Sequence, residues 1–436
     1  MNPSPEPPPL PTTTDPRLWP IATVMAAGIF ATTFVQTQSL GYLPLNALLT
    51  HMGLDSDKAA TFFSVAMLPW SFKIIAGLLV DGVPIFGSRR RSYLLLSALT
   101  AAGLWLMMGL APSHYTLLLA LAFTMNAAIV FGSTTSGGLL VEAGQRFNMS
   151  GRMSSLRTVA QFVGAGLASV ISGWIADHTM SGKYPLLWTS VAAMVPLLGM
   201  FLAAWFFLHE PPAPPRPDHG RSFVEQMAHV GRSIWAQIRN VLRPEMLLPA
   251  LLLFFIQAVP TFRSTCFYQY QTGTLHYNNE QVGWLTLAGY AASLLSSGFY
   301  AWWCRKASLR VSLYGAVITT ALSALPYLFY TSDMPRAVVL ECIGNFLQIL
   351  AYLPLFDIAV RSTPKGSEAL GYSLLIGVWN IGLMIGAKTG PTFYEHVFHQ
   401  NINSVIWLNA GVTLAGLIIV FFLPKQLVRQ REGNGG

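Results

Sequence analysis

The chain has 436 residues, 53% of them hydrophobic and only 10% charged, with a formal net charge of +8. Soluble domains usually carry about 25% charged residues, so a globule of this composition would be poorly solvated. The arithmetic excludes a soluble enzyme, a disordered chain and a nucleic-acid binder, and leaves a protein whose solvent is lipid.

Residues 1–20 are Pro-rich, as at Pro7-Pro8-Pro9, and lack a basic start; they read as a disordered cytoplasmic tail rather than a targeting peptide. A membrane helix needs roughly 20 mostly apolar residues. The first half, 21–208, offers six such windows: 21–49, 59–80, 92–111, 115–141, 153–176 and 184–208. The first window carries Thr32, Thr33, Gln36, Thr37 and Gln38. Amides such as Gln36 and Gln38 need several partners in lipid. The second window and the loop after it hold Leu68-Pro69-Trp70-Ser71-Phe72-Lys73, then Gly77, Asp81, Pro84-Ile85-Phe86-Gly87-Ser88, Arg89, Arg90, Arg91 and Tyr93. Gly77 permits close approach of a neighbouring backbone. Asp81 sits at a helix end, where it can accept from the start of a facing helix and pair with an arginine. Gly77, Asp81, Arg89 and Arg90 are therefore gating candidates. The fourth window carries Asn126 and the run Ser133-Thr134-Thr135-Ser136, with Glu142 just beyond it.

The longest loop, 209–245, opens with the Pro-rich run Pro211-Pro212-Ala213-Pro214-Pro215, which cannot continue a helix. Phe223, Met227, Val230, Ile234 and Ile238 then recur at helical spacing, which predicts an amphipathic helix on the membrane surface. The second half, 246–423, offers 246–268, 281–303, 311–331, 337–360, 369–393 and 403–423, followed by a cytoplasmic tail at 424–436. The seventh window carries Gln257, Pro260 and Arg263. The tenth carries Glu341, Asn345, Gln348, Tyr352 and Asp357, with Arg361 one turn further on. The eleventh carries Trp379, Asn380 and Lys388.

Basic residues orient the chain. Of the 26 Lys and Arg, three fall on one side (Lys58, Lys183 and Arg336) and four inside windows (Lys73, Arg157, Arg263 and Lys388). The rest gather in the tails and on the other side, which predicts a multi-pass protein with both termini cytoplasmic; the compact chain without transit features points to a plasma (inner) membrane. The sequon Asn148-Met149-Ser150 then lies on the cytoplasmic side, where it goes unused. An ionisable group at mid-helix costs about 2.5–3.5 kcal/mol. Lys73 is the deepest, roughly 20 Å from one end of its helix and 10 Å from the other at 1.5 Å rise per residue. Arg157 and Lys388 are close enough to helix ends to snorkel.

Met52–Lys58 before the second window and Leu275–Gln281 before the eighth occupy equivalent places, so the halves read as a repeat. Six plus six helices with a long central loop indicate an all-α membrane protein of the major-facilitator type. In that fold the first, fourth, seventh and tenth helices line the cavity, which makes Gln36, Gln38, Asn126, Gln257, Arg263 and Gln348 candidate substrate-binding residues; the deep Lys73 of the second helix joins them, as do Trp379 and Asn380 of the eleventh, which can add a stacking face and a hydrogen bond. Nothing supports catalysis. There is no Walker sequence, and no metal or cofactor site is expected; Cys266, Cys304 and Cys342 have no zinc spacing.

The Pro69-to-Tyr93 stretch resembles the folate–biopterin transporter family, a branch of the major facilitator superfamily. Pro69, Trp70, Lys73, Gly77, Asp81, Pro84, Ile85, Gly87, Arg89, Arg90 and Tyr93 match its pattern, while Ile74 and Ser88 depart from it. Weaker likeness continues at Leu139–Ala143, Leu353–Phe356 with Arg361, and Asn380-Ile381-Gly382. The family's fourth helix usually carries two Asp residues where this chain has Ser133 and Gly137. The resemblance implies a secondary transporter working as a monomer by alternating access on a small polar, anionic, folate- or pterin-like solute. Lys73 and Arg263 suit carboxylates, so Lys73→Ala is expected to lower uptake. Proton symport would fall to Glu142, Glu341 or Asp357. A permease for S-adenosylmethionine or a muropeptide is the second reading, and a non-transporting receptor or scaffold the third.

Overall fold

The computed structural model describes residues 18–54, 56–111, 113–179, 183–210, 235, 236, 239, 243–277, 279–424 and 428. The expected amphipathic-helix residues Phe223, Met227, Val230, Ile234 and Ile238 lie outside the described residues, as do most of the two tails and the side chain of Lys388. Regular structure among the described residues is helical, apart from one isolated bridge between Ile85 and Ser88.

The helices before the central loop are α1 (Leu18–Phe34), α2 (Tyr42–His51), α3 (Ser56–Ala66), α4 (Lys73–Gly82), α5 (Arg91–Leu110), α6 (Tyr115–Arg146), α7 (Ser150–Thr179) and α8 (Leu187–Phe207). After it come α9 (Pro244–Gln269), α10 (Asn279–Trp303), α11 (Leu309–Ala324), α12 (Met334–Ser362), α13 (Glu368–His396), α14 (Ile402–Leu414) and α15 (Gly416–Phe422). Among the described residues, ten helical stretches are long and apolar enough to cross a membrane. The other two expected spans correspond to α1, which is apolar but shorter, and to α10. Ser293, Ser296 and Ser297, all buried, dilute the apolar character of α10.

Two spans are broken for local reasons. The first bends after Phe34, where the run Gln36 to Ser39 offers competing polar groups. A turn bond from Ser39 N–H to the Gln36 carbonyl forms there, at 2.9 Å. The Trp105 indole donates to the Val35 carbonyl at 3.1 Å, so the break leaves that acceptor satisfied. The second span breaks at Pro69, which supplies no N–H. The chain tightens into a 3-10 turn over Leu68–Phe72 and restarts as α4 at Lys73.

In lipid, packing and polar bonds hold helices together, because lipid tails are as apolar as leucine. One group forms as α1 packs on α6, α7 and α8, and α5 on α6 and α8. A second forms as α9 packs on α12, α13 and α14, and α12 on α10 and α11. The groups meet where α7 lies against α10 and α12, and where α4 and α6 lie against α13.

Candidate functional site

A cavity of about 350 Å³ lies where the two groups meet, bounded by α7, α9, α10, α12 and α13. Its wall mixes flat aromatic and polar side chains. Phe162 and Tyr290 face each other across the groups with ring centroids 5.5 Å apart. Trp379 meets Tyr352 edge-to-face at 4.6 Å and lies 5.2 Å from Phe356. Gln161, Gln257, Asn345, Gln348 and Asn380 supply amides. Arg157 is the one charged side chain in the wall, and its guanidinium rests 4.3 Å from the Phe356 ring centroid. Among the described residues its N–H donors have no hydrogen-bond partner. The Gln257 carbonyl oxygen is buried without a partner. Such a cavity offers faces for a flat ring, amides for its edges, and a planar cation for a carboxylate.

Four candidates from the sequence, Gln257, Gln348, Trp379 and Asn380, are in this wall. Gln36, Gln38, Lys73, Asn126 and Arg263 are not. Gln36 donates back to the Thr32 carbonyl at 3.0 Å, and Gln38 is exposed at the α1–α2 bend. Asn126 is fully buried and occupied: it donates to Thr37 Oγ1 at 3.0 Å and the Ala122 carbonyl at 2.9 Å, and accepts from the Trp70 indole at 3.1 Å. Lys73 donates to Ser133 Oγ at 2.9 Å and lies 5.5 Å from the Trp70 ring. Helices α1 and α6 contribute no wall residue to this cavity, and they pack closely on each other. Ser136 Oγ occupies the place a side chain at Gly28 would need, and Thr32 and Ser136 bond to carbonyls four residues earlier at 2.7 and 2.9 Å. Replacing Asn126 by Leu leaves the Trp70 indole without its acceptor and Thr37 with only its contact to Met67 Sδ, so a fall in melting temperature is expected, worth about 1–3 kcal/mol. Thermal unfolding of the purified variant checks it.

Arg263 lies deeper along α9, buried, 4.1 Å from the Tyr327 ring centroid. The Glu341 carboxylate beside it accepts from Tyr327 and Tyr330 hydroxyls at 3.2 Å each and from the Asn345 amide at 2.8 Å. Asn345 is itself a wall residue, so this cluster touches the cavity through one side chain.

At the end of the bundle that carries Arg89–Arg91, two polar clusters, here called latches, join the helix groups. In the first, Asp81 pairs with Arg90 at 2.8 Å and accepts from the Leu370 N–H at 2.8 Å. Arg90 also reaches Glu368 at 3.3 Å. Arg89 donates to the Asp81 carbonyl at 2.9 Å. Gly77 lies directly under the start of α13: a Cβ there would come within 2.8 Å of Leu370 Cα. In the second latch, Ser150 at the start of α7 bonds to Asp357, which pairs with Arg361 at 2.7 Å and accepts from the Tyr300 hydroxyl at 3.1 Å. The Gln145 amide donates to the Val360 and Thr363 carbonyls at 2.8 and 2.7 Å. Both latches tie one helix group to the other. Glu142, half-buried near the first, makes no ion pair within 4 Å among the described residues.

Sequence reasoning placed Arg157 at the headgroups and passed over Gln161, Glu368 and Glu210. Arg157 and Gln161 are four residues apart and so share a helix face, a signal that was available. Glu210 ends the first half and accepts from the N–H groups of Arg89, Arg90 and Arg91 at 3.0, 3.0 and 3.3 Å. It caps α5, and no spacing rule links it to a helix that starts so far upstream.

The BT1 family model matches residues 37–435. A folate-biopterin transporter of Synechocystis sp. is 27% identical over 397 residues, covering 86% of this chain and 76% of that protein. A folate transporter of Plasmodium falciparum is 24% identical over 383 residues, covering 82% and 70%. Among solved structures, the major facilitator superfamily proton:xylose symporter bound to 6-bromo-6-deoxy-D-glucose superposes with a TM-score of 0.66 at 15% identity, covering 95% of this chain and 98% of that one.

Proposed function

The chain belongs to the BT1 family, and we propose that it carries a small folate- or pterin-like organic anion across the membrane by alternating access. It is a multi-pass membrane transporter with the major facilitator fold, not an enzyme. The substrate class is our reading, and Arg157 carries it: a guanidinium held over Phe356 in a wall of amides and aromatic rings. A pterin ring would lie against Trp379 or Tyr352, its edge donors and acceptors meeting Gln257, Gln348 and Asn380, and its carboxylate tail meeting Arg157. A cationic solute such as S-adenosylmethionine fits poorly beside Arg157, whose guanidinium stays charged at physiological pH. Uptake of labelled folate and of a simple pterin into proteoliposomes tests the reading; saturable uptake of either supports it, and uptake of neither defeats it.

Alternating access would run by rocking one helix group on the other, with the Asp81–Arg90–Glu368 and Asp357–Arg361–Ser150 latches closing the cytoplasmic side. The basic end faces the cytoplasm in this reading, as the positive-inside rule requires, with both termini there, in a plasma membrane. The transporter acts as a monomer, with the halves 21–208 and 246–423 as its two rocking units.

Proton coupling falls to Glu341, because Asn345 links its carboxylate to the cavity wall. Asp357 is already committed to Arg361. Glu341→Gln is expected to abolish uptake driven by a pH gradient while sparing substrate exchange at equal concentrations on both sides. Gradient-driven accumulation that survives in the variant excludes Glu341.

A further inference from the structure

A second cavity, of about 280 Å³, lies between the ends of α10, α11 and α12 nearest the basic face. Phe299, Tyr300 and Trp303 form one wall, Gly315 and Thr319 another, and Pro354 the third. The wall is almost wholly apolar. Its mouth is rimmed by exposed Phe299 and Val311, side chains that a membrane protein turns to lipid. Gly315 leaves the room: a Cβ at that position would meet nothing within 4 Å. The back wall is preformed, because Tyr300 is buried and its hydroxyl is held by Asp357 at 3.1 Å.

The turn that joins α10 to α11 runs over this cavity, between wall residues Trp303 and Val311. It carries Arg305 and Lys306, and Arg310 follows in the first turn of α11. Arg305 and Lys306 are exposed, and Lys306 is held 3.9 Å from the Trp302 ring centroid. Arg310 donates to the Phe421 carbonyl at 3.4 Å. An apolar slot open to the bilayer, topped by cations at headgroup height, is complementary to an amphiphile with an apolar tail and a negative head.

We propose that this groove is a binding site for an anionic phospholipid, with one acyl chain in the slot and its phosphate at Arg305 and Lys306. The site is separate from the central cavity and does not depend on what that cavity carries. The full-length protein, purified and exchanged into mixed micelles of phosphatidylglycerol and phosphatidylcholine with identical acyl chains, tests it by native mass spectrometry. The wild type is expected to retain phosphatidylglycerol in preference. Replacing both Arg305 and Lys306 by Gln is expected to cut that preference by about thirtyfold. Gly315→Leu fills the slot and is expected to abolish retention of either lipid there, and Thr319→Leu does the same from the neighbouring turn. Melting temperatures without lipid verify that each variant is folded. Equal retention of the two lipids by the wild type overturns the proposal, as does undiminished phosphatidylglycerol retention in folded Gly315→Leu and Thr319→Leu variants.

Discussion

Arg157→Gln is expected to raise the KM for folate-like uptake by roughly tenfold to hundredfold while leaving the amount of protein in the membrane unchanged. A hydrogen bond to a charged group contributes about 1.5–3 kcal/mol, and Arg157 is the only cation among the described residues of the cavity wall. Glutamine keeps a polar amide but is shorter and cannot neutralise a carboxylate. Arg157→Lys restores the charge without the planar two-pronged donor geometry, so partial recovery is expected. A substrate without a carboxylate tail should lose much less than folate does, because it never engaged the cation. Proteoliposome uptake of both substrates by the three proteins checks this. An unchanged KM for folate in Arg157→Gln would move the anion site elsewhere, first to Lys73.

The second large effect concerns the latch. The carboxylate of Asp81 is fully buried and the Arg90 side chain nearly so. Removing one partner from a buried pair costs about 3–5 kcal/mol. Glu368 offsets part of this by its own contact with Arg90, so the lower figure applies. Asp81→Asn then shifts the equilibrium between closed and open basic ends by about a hundredfold toward open. Uptake should fall more than tenfold, whereas substrate binding to the purified protein should persist. Spin labels on Arg146→Cys and Lys365→Cys, which sit on opposite helix groups at that end, should move apart in the variant. Gly77→Val acts on the same seam by pressing a side chain into the backbone at Leu370, and should widen the same distance. An unaltered spin-label separation in both variants would show that this latch does not hold the end shut.

The parts of this machine that lie close together in sequence were legible in it. Asp81 and Arg90 belong to one short stretch, and their chemistry predicted a gate before any contact was known. Their partners Glu368 and Leu370 lie at the start of the eleventh expected span, 278 and 289 residues further on, and no spacing rule reaches that far. Depth along a helix was readable for Lys73, yet its direction was not. The break at Pro69 restarts the helix at Lys73 and aims its ammonium at Ser133. Arg157 shows the complementary failure: counting residues to the helix end ignores rotation about the axis, and rotation is what turns it into the cavity. Polar residues on α1 and α6 looked like a binding surface because amides and hydroxyls in lipid need partners. The structure supplies those partners from the same or adjacent helices, as at Asn126 and Ser136.

In the proposed mechanism the cavity between α7, α9, α10, α12 and α13 holds a folate-like anion. Ser293 is a wall residue on α10, small and free of any role in the latches. In a background with Cys266, Cys304 and Cys342 replaced by alanine, Ser293→Cys gives a single reporter thiol inside the site. The rate of its alkylation by a small maleimide, measured against folate concentration, is predicted to fall in a saturable way, and the protection to be lost in Arg157→Gln. An alkylation rate that does not respond to folate or to a simple pterin, in a protein that still transports them, would contradict the account.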